Sequence, residues 1–240
     1  KNITKANVIT PIYNNKYLYL TGSKVNLSGV YIPDIPKTRK LLRYANNFIS
    51  PLALRMANPD IIHETYYTKK IIGPSKPKRV ITIHDMIHEI FPEHFSKNDS
   101  TRDAKINAVS RADHVICISN NTRKDLVNIL GVEKEKISVV HHGFSMLINK
   151  QKKVEVDYRP FLLYVGSRGG YKNFYRLLEA YTAYERFSDE FELVCFGGGA
   201  FTQEEINLFN KLKIPTKKVH QISGGDDLLA DYYRNASLFI

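Results

Sequence analysis

The sequence predicts an α/β protein organised around parallel sheets, and three observations carry that prediction. Strand-like and helix-like segments alternate along the whole chain, the pattern of parallel strands joined by helical crossovers. Short segments such as Phe161-Leu-Leu-Tyr-Val165 are apolar at every position, as a strand covered on both faces must be. Glycine-rich turns stand repeatedly where such a strand gives way to a helix.

Taken in order, strands are expected over 16–20, 60–63, 79–83, 114–118 and 137–140, then over 161–165, 192–196, 219–222 and 238–240. Helices are expected over 38–56, 101–111, 121–130, 173–187, 203–212 and 227–235. Some ends are legible. Ser119 or Asn120 can cap the helix carrying Leu126, Ile129 and Leu130, and Gly131 stands where a left-handed residue closes it. Residues 144–159 lack a core pattern and carry Lys150, Lys152 and Lys153, so they read as a linker between a first domain, 1–143, and a second, 160–240. The final residues, 236–240, read as a central strand, and a second domain ending there is expected to be incomplete.

The composition, with 43% hydrophobic and 25% charged residues over 240 positions, is that of a globular protein. No run reaches the roughly 18 apolar residues that a membrane span requires, and the Lys-Asn-Ile-Thr start lacks the apolar core of a secretory signal. A cytoplasmic enzyme is the expectation. Cys117 and Cys195 each lie in an apolar strand-like run and read as core residues. The net charge of +11 is uneven: residues 1–143 hold 22 Lys and Arg against 12 Asp and Glu, a net of +10. Such an excess suits an anionic membrane surface or an acidic substrate. Nucleic acid is not expected as a partner, because no basic stripe interleaves with aromatics and no zinc-finger spacing occurs.

The chemistry concentrates in the turns. Between strand 161–165 and the following helix runs Gly166-Ser-Arg-Gly-Gly-Tyr-Lys-Asn173. Its glycines permit a sharp turn, and Arg168 and Lys172 stand around a helix N-terminus, where free N–H groups already favour an anion. This reads as a socket for a diphosphate. Gly197-Gly198-Gly199 follows strand 192–196, and Ile222-Ser223-Gly224-Gly225 follows strand 219–222. Three such turns after successive strands make a rim of nucleotide size.

In the first half, strand 79–83 runs into His84-Asp85 at the carboxyl edge of a parallel sheet, where open α/β folds bind ligands. His84 can move a proton near neutrality, with Asp85 to orient it. His63-Glu-Thr-Tyr-Tyr67 follows another strand and is expected along the same edge, with His63 and Tyr66 facing a sugar. His141-His142-Gly143 closes a third strand, and Gly143 allows close backbone approach. A metal site from His84, His88 and Asp85 is conceivable, but no zincin spacing appears and no metal is expected.

With these stretches in view, the sequence resembles the retaining glycosyltransferases of family 4, which have the GT-B fold of two facing Rossmann-like domains. The resemblance rests on DIIHETYY, VITIHDMIHE, ADHVICISNNTRKDL, ISVVHHG, FLLYVGSRGGYKNFYRLLEAY, FELVCFGGG and LLADYYRNASLFI, in that order. It implies a nucleotide-sugar donor and a glycan or lipid-linked acceptor in bacterial cell-surface polysaccharide assembly, with no metal required. It further implies that Arg168, Lys172, Asn173 and Gly166 hold the donor diphosphate, that Gly197, Gly198, Ile222 and Ser223 face the base and ribose, and that His84 faces the reacting sugar. The family also has a glycine-rich loop after its first strand and a pair of glutamates in the second domain. Neither is found in these residues, so the chain is expected to be cut at both ends. A sugar-nucleotide epimerase of the same fold, or a non-catalytic nucleotide- or glycan-binding fragment, are the competing readings. A dinucleotide-dependent dehydrogenase fits poorly, because no Gly-x-Gly-x-x-Gly opens a helix.

Overall fold

The computed structural model describes residues 6–21, 26–143 and 160–240, and the stretch read as a linker, 144–159, lies outside the described residues. Packing divides the chain into two units, Lys1–His142 and Gly143–Ile240.

The first unit opens with β1 (Asn7–Tyr13), α1 (Lys16–Thr21) and β2 (Asn26–Tyr31), the two strands pairing in parallel, followed by the long helix α2 (Arg39–Ala57). Next come β3 (Ile61–Glu64), β4 (Lys78–Ile83), α3 (Ile87–Ile90), α4 (Thr101–Arg111), β5 (His114–Cys117), α5 (Asn120–Leu130) and β6 (Ile137–Val139). These strands form one parallel sheet in the order β3-β4-β5-β6. One face buries Ile81, Ile83, Val115, Cys117 and Ile137 against Ala104, Ala108 and Val109 of α4 and Leu126 of α5. The opposite face is more polar, with His63 Nε2 bonded to Thr82 Oγ1 at 2.8 Å and His114 Nε2 to Ser138 Oγ at 2.8 Å. Ser119 caps α5 by accepting from the Thr122 amide, and Gly131 closes it at φ 66°.

The second unit comprises β7 (Phe161–Val165), α6 (Phe174–Ala183), α7 (Glu185–Glu190), β8 (Glu192–Phe196), α8 (Gln203–Lys211), β9 (Val219–Ile222), α9 (Asp226–Asn235) and β10 (Leu238–Phe239). Its parallel sheet has the order β10-β7-β8-β9. Alternation along β7 and β8 explains their unbroken apolar sequence. Leu162, Tyr164, Leu193 and Cys195 pack with Phe174, Leu178, Tyr181 and Phe209, while Phe161, Leu163, Val194 and Phe196 pack with Tyr232 on the other side. Burial pushes the Cys117 thiol up to about 11 and the Cys195 thiol up to about 12, so both remain neutral core groups.

Three expectations are corrected. Residues 16–20 form α1, not a strand, because the Asn15 side chain accepts from the amides of Tyr17 and Leu18 and starts a helical turn. The strands of that region are β1 and β2, which contain Pro11 and Gly29, residues that argue against a strand. Their ladder shifts register between Ile9 and Ile12, and a Cβ on Gly29 would lie 1.9 Å from the Thr10 carbonyl oxygen. The helix expected over 173–187 is broken into α6 and α7 at Tyr184, whose backbone is extended. Among the described residues β10 pairs with β7 alone, and Leu238 and Phe239 are each 55% exposed.

Leu193 is fully buried at the centre of the second sheet. Leu193→Ala is expected to cost about 2–5 kcal/mol, read as a lowered urea midpoint at unchanged slope.

Candidate functional site

The parallel register of the second unit brings its strand-to-helix turns to one edge. The Gly166 amide donates to the Phe196 carbonyl at 2.9 Å, and the Gly197 amide donates to the Ile222 carbonyl at 2.8 Å, so the ladder continues past the strands into the turns. The Gln221 side chain reaches the carbonyls of Gly197 and Ile222 and, at 2.8 Å, the Ser223 hydroxyl. Gly166, Gly197, Gly198, Ile222 and Ser223 are therefore neighbours on a continuous backbone rim.

Arg168 does something other than reach for solvent. It is 7% exposed, and its Nε donates to Glu205 at 2.6 Å. Its Nη1 donates to the Gly197 carbonyl at 3.1 Å, and Nη2 to the carbonyls of Gly199 and Ala200 at 3.0 and 3.1 Å. The guanidinium thus binds the neighbouring glycine turn from inside, lying 4.7 Å from the Phe201 ring. Gly198 has φ +72°, and a Cβ there would meet Arg168 Nη1 at 2.7 Å and the Gly166 carbonyl oxygen at 2.8 Å. Only a residue without a side chain fits that wrapping.

Glu205 completes the brace and was not singled out from sequence. Its carboxylate accepts from the Thr202 amide at 2.7 Å while the Thr202 hydroxyl accepts from the Glu205 amide, a capping box that starts α8. The Thr-x-x-Glu spacing signals that helix start in the sequence, but nothing local signals an arginine 37 positions earlier. Burial pushes the Glu205 carboxyl up, yet hydrogen bonds from Arg168 and Thr202 and the arginine charge outweigh it, leaving it below the usual carboxylate range.

Lys172 and Asn173 lie where β7 has given way to α6. Lys172 is exposed, with Nζ 5.2 Å from the Tyr171 ring. Asn173 is left-handed at φ 57°, and its side chain makes no cap bond to α6. The Asn173 carbonyl accepts from the Arg176 amide at 3.1 Å, and the helix start, where the dipole favours an anion, follows directly on the exposed Lys172.

In the first unit, His84 leaves β4 at its carboxyl end. Its amide donates to the Tyr67 hydroxyl at 3.1 Å, and Nε2 lies 2.9 Å from the Thr65 carbonyl. A carbonyl only accepts, so Nε2 carries the hydrogen, and Nδ1 faces His142 Nε2 at 3.4 Å. Tyr66 stacks on Tyr67, its ring 6.1 Å from that of His84. The expectation that Asp85 orients His84 is corrected: its carboxylate accepts from the Ile87 amide, and its other neighbour is Lys105 Nζ at 3.8 Å. Lys105 is fully buried and bonds the Asp85 carbonyl and Glu89, fixing the backbone beneath His84. His63 is not at this edge either, since it lies within β3 and bonds Thr82 on the sheet face, where burial holds its pKa down. Glu64 is committed to Arg79 and Arg111. Among the described residues nothing lies within 4 Å of where a Cβ on Gly143 would stand. His88 stacks on Phe95 at 3.9 Å, and among the described residues no group of three His, Cys, Asp or Glu converges for a metal.

Residues 6–146 match the family model described as Glycosyltransferase Family 4. The chain belongs to this family. O-antigen chain mannosyltransferase RfbU of Salmonella typhimurium is similar to this family 4 member at 22% identity over 212 residues, which cover 83% of the chain and 57% of the relative. The chain therefore spans little more than half of that protein's length. Among solved structures, WaaG, a glycosyltransferase involved in lipopolysaccharide biosynthesis, superposes with a TM-score of 0.60 at 17% identity, covering 97% of this chain and 73% of the other. UDP-GlcNAc 2-epimerase of Methanocaldococcus jannaschii gives 0.51 at 18% identity, with 95% and 69% covered. These likenesses show the GT-B fold.

Removing one partner of the Arg168–Glu205 pair leaves a buried charge, so Glu205→Ala is expected to cost about 3–5 kcal/mol. The depressed carboxyl contributes stability that is complete above its ordinary pKa and is lost as pH falls through the lower folded value. Urea midpoints should therefore fall below about pH 4, with a smaller fall in Glu205→Gln.

Proposed function

We propose that this family 4 chain forms the greater part of a retaining glycosyltransferase. It would move a hexosyl group from a nucleotide-sugar onto a glycan or lipid-linked acceptor in cell-surface polysaccharide assembly. The observation that carries this reading is the rim: three turns from adjacent strands, tied by backbone bonds, with Lys172 and the start of α6 following on the first of them. The names of RfbU and WaaG support the polysaccharide setting.

In this reading Lys172, the amides leading into α6, Asn173 and Gly166 hold the diphosphate. Arg168 shapes the adjoining turn, so its contribution to the diphosphate passes through the backbone it braces. Gly197, Gly198, Ile222 and Ser223 offer a flat surface to base and ribose. As the bond from anomeric carbon to diphosphate breaks, charge grows on the departing oxygen, and the ammonium and helix amides stabilise that charge more than the ground state. Through an oxocarbenium-like state the acceptor hydroxyl bonds to the anomeric carbon on the face the diphosphate leaves, its proton passing to the departing phosphate oxygen, so the sugar keeps its configuration. His84 serves the first domain's side of the reaction, with a sugar hydroxyl replacing His142 as the donor to Nδ1, and Tyr66 offers an exposed ring for a sugar face. No metal is needed in this scheme, and the enzyme works in the cytoplasm.

A nucleoside diphosphate is expected to raise the melting temperature, and Lys172→Ala to remove most of that rise. Equal protection of the variant would overturn the site assignment. Incubating donor without acceptor and analysing the sugar separates transfer from its runner-up, since free epimerised sugar would identify an epimerase.

A further inference from the structure

Where β4 ends, three side chains take up the backbone. The His84 amide donates to the Tyr67 hydroxyl at 3.1 Å, the Thr122 hydroxyl donates to the His84 carbonyl at 3.3 Å, and Lys105 Nζ donates to the Asp85 carbonyl at 2.8 Å. They come from three places in the chain: the loop after β3, the first turn of α5, and α4. Two of these supports are neutral hydroxyls, and the third is a buried cation. Lys105 Nζ also pairs with Glu89 Oε2 at 2.7 Å, both side chains being 0% exposed, and lies 5.3 Å from the centre of the Tyr67 ring. One ammonium therefore touches both the Asp85 peptide and the ring whose hydroxyl holds the His84 amide.

Stability does not account for that pair. Glu89 Oε1 is buried and, among the described residues, accepts no hydrogen bond, so the carboxylate is only half satisfied. Apolar side chains of similar volume in place of a buried ion pair are often as stable or more so. What they cannot do is bond the Asp85 carbonyl. The imidazole above it has a partner at each nitrogen, Nε2 at 2.9 Å from the Thr65 carbonyl and Nδ1 at 3.4 Å from His142 Nε2. The two rings are 25° from coplanar with centres 5.5 Å apart, so little more than one ring radius lies beyond each nitrogen and the rings meet edge to edge. An imidazole lone pair lies in the ring plane, so where Nδ1 points depends on how the backbone beneath it is held.

We propose that Lys105 and Glu89 are positioning residues for His84. The pair fixes the Asp85 peptide and the Tyr67 ring, and through them the direction in which Nδ1 presents its lone pair. This deepens the reading above and rests on it for its purpose, since that reading sets a sugar hydroxyl against Nδ1.

Lys105→Met with Glu89→Leu removes both charges at once and tests it. The urea midpoint is expected to match or exceed that of the unaltered protein. Exchange of the His84 Nε2 hydrogen with water, read from imidazole N–H NMR signals assigned with His84→Gln, should quicken by roughly tenfold or more. His63 and His114, bonded on the same sheet to Thr82 and Ser138, should keep their signals. Lys105→Gln with Glu89→Gln, a neutral pair whose side chain at 105 is too short for the Asp85 carbonyl, gives the same comparison should the apolar pair not fold. Both variants should keep full protection by a nucleoside diphosphate, so a failure here is distinct from a failure of the donor site. Unchanged exchange at His84 would overturn the assignment. So would equal quickening at all three histidines, since the pair would then serve the packing of the whole unit.

Discussion

Parallel pairing is the constraint on which the molecule turns. Strands that run in one direction must each be left and re-entered by a crossover, so every carboxyl end of a sheet lies on the same edge. In the second unit this brings turns from β7, β8 and β9 side by side, although 56 positions separate Gly166 from Ile222. In the first unit it delivers His84 beside Tyr66 and His142 in the same way. The sites are thus products of strand order, and the residues in them need no sequence proximity.

A buried guanidinium then decides what kind of surface the second edge offers. Arg168 spends its donors on Glu205 and on three carbonyls of the adjacent turn, so those carbonyls face inward and the opposite side of the loop is left to backbone. A lysine could not replace it, since a single ammonium cannot bridge groups spread over that width. The pair is close to neutral, and Lys172, in the same turn, keeps its charge exposed.

The legible parts of the fold were those whose pattern is local and uniform. β7, β8, β9 and α4 were bounded in sequence as they stand in the structure; β7 is apolar throughout and lies between Pro160 and Gly166, and β8 runs into Gly197. The turns of the rim were legible for the same reason. Less visible was anything decided by a distant partner. Arg168 reads as a free cation until Glu205 is folded against it, and Asp85 reads as the partner of His84 until Ile87 and Lys105 claim it. His142 could be noticed as half of a His-His pair, but its approach to His84 depends on β4 and β6 flanking β5.

Gly29 carries a consequence for the small sheet at the start of the chain. Neither β1 nor β2 has a buried residue, so the usual fixing of alignment by a hydrophobic face is weak there. The bulge around Pro11 pushes the Thr10 carbonyl into the space that a side chain on β2 would fill. Sliding β2 by two places keeps the same side outward but sets Leu27 or Tyr31 against that oxygen. One alignment alone puts no Cβ there, so bulge and glycine work as key and lock for a ladder that burial does not align.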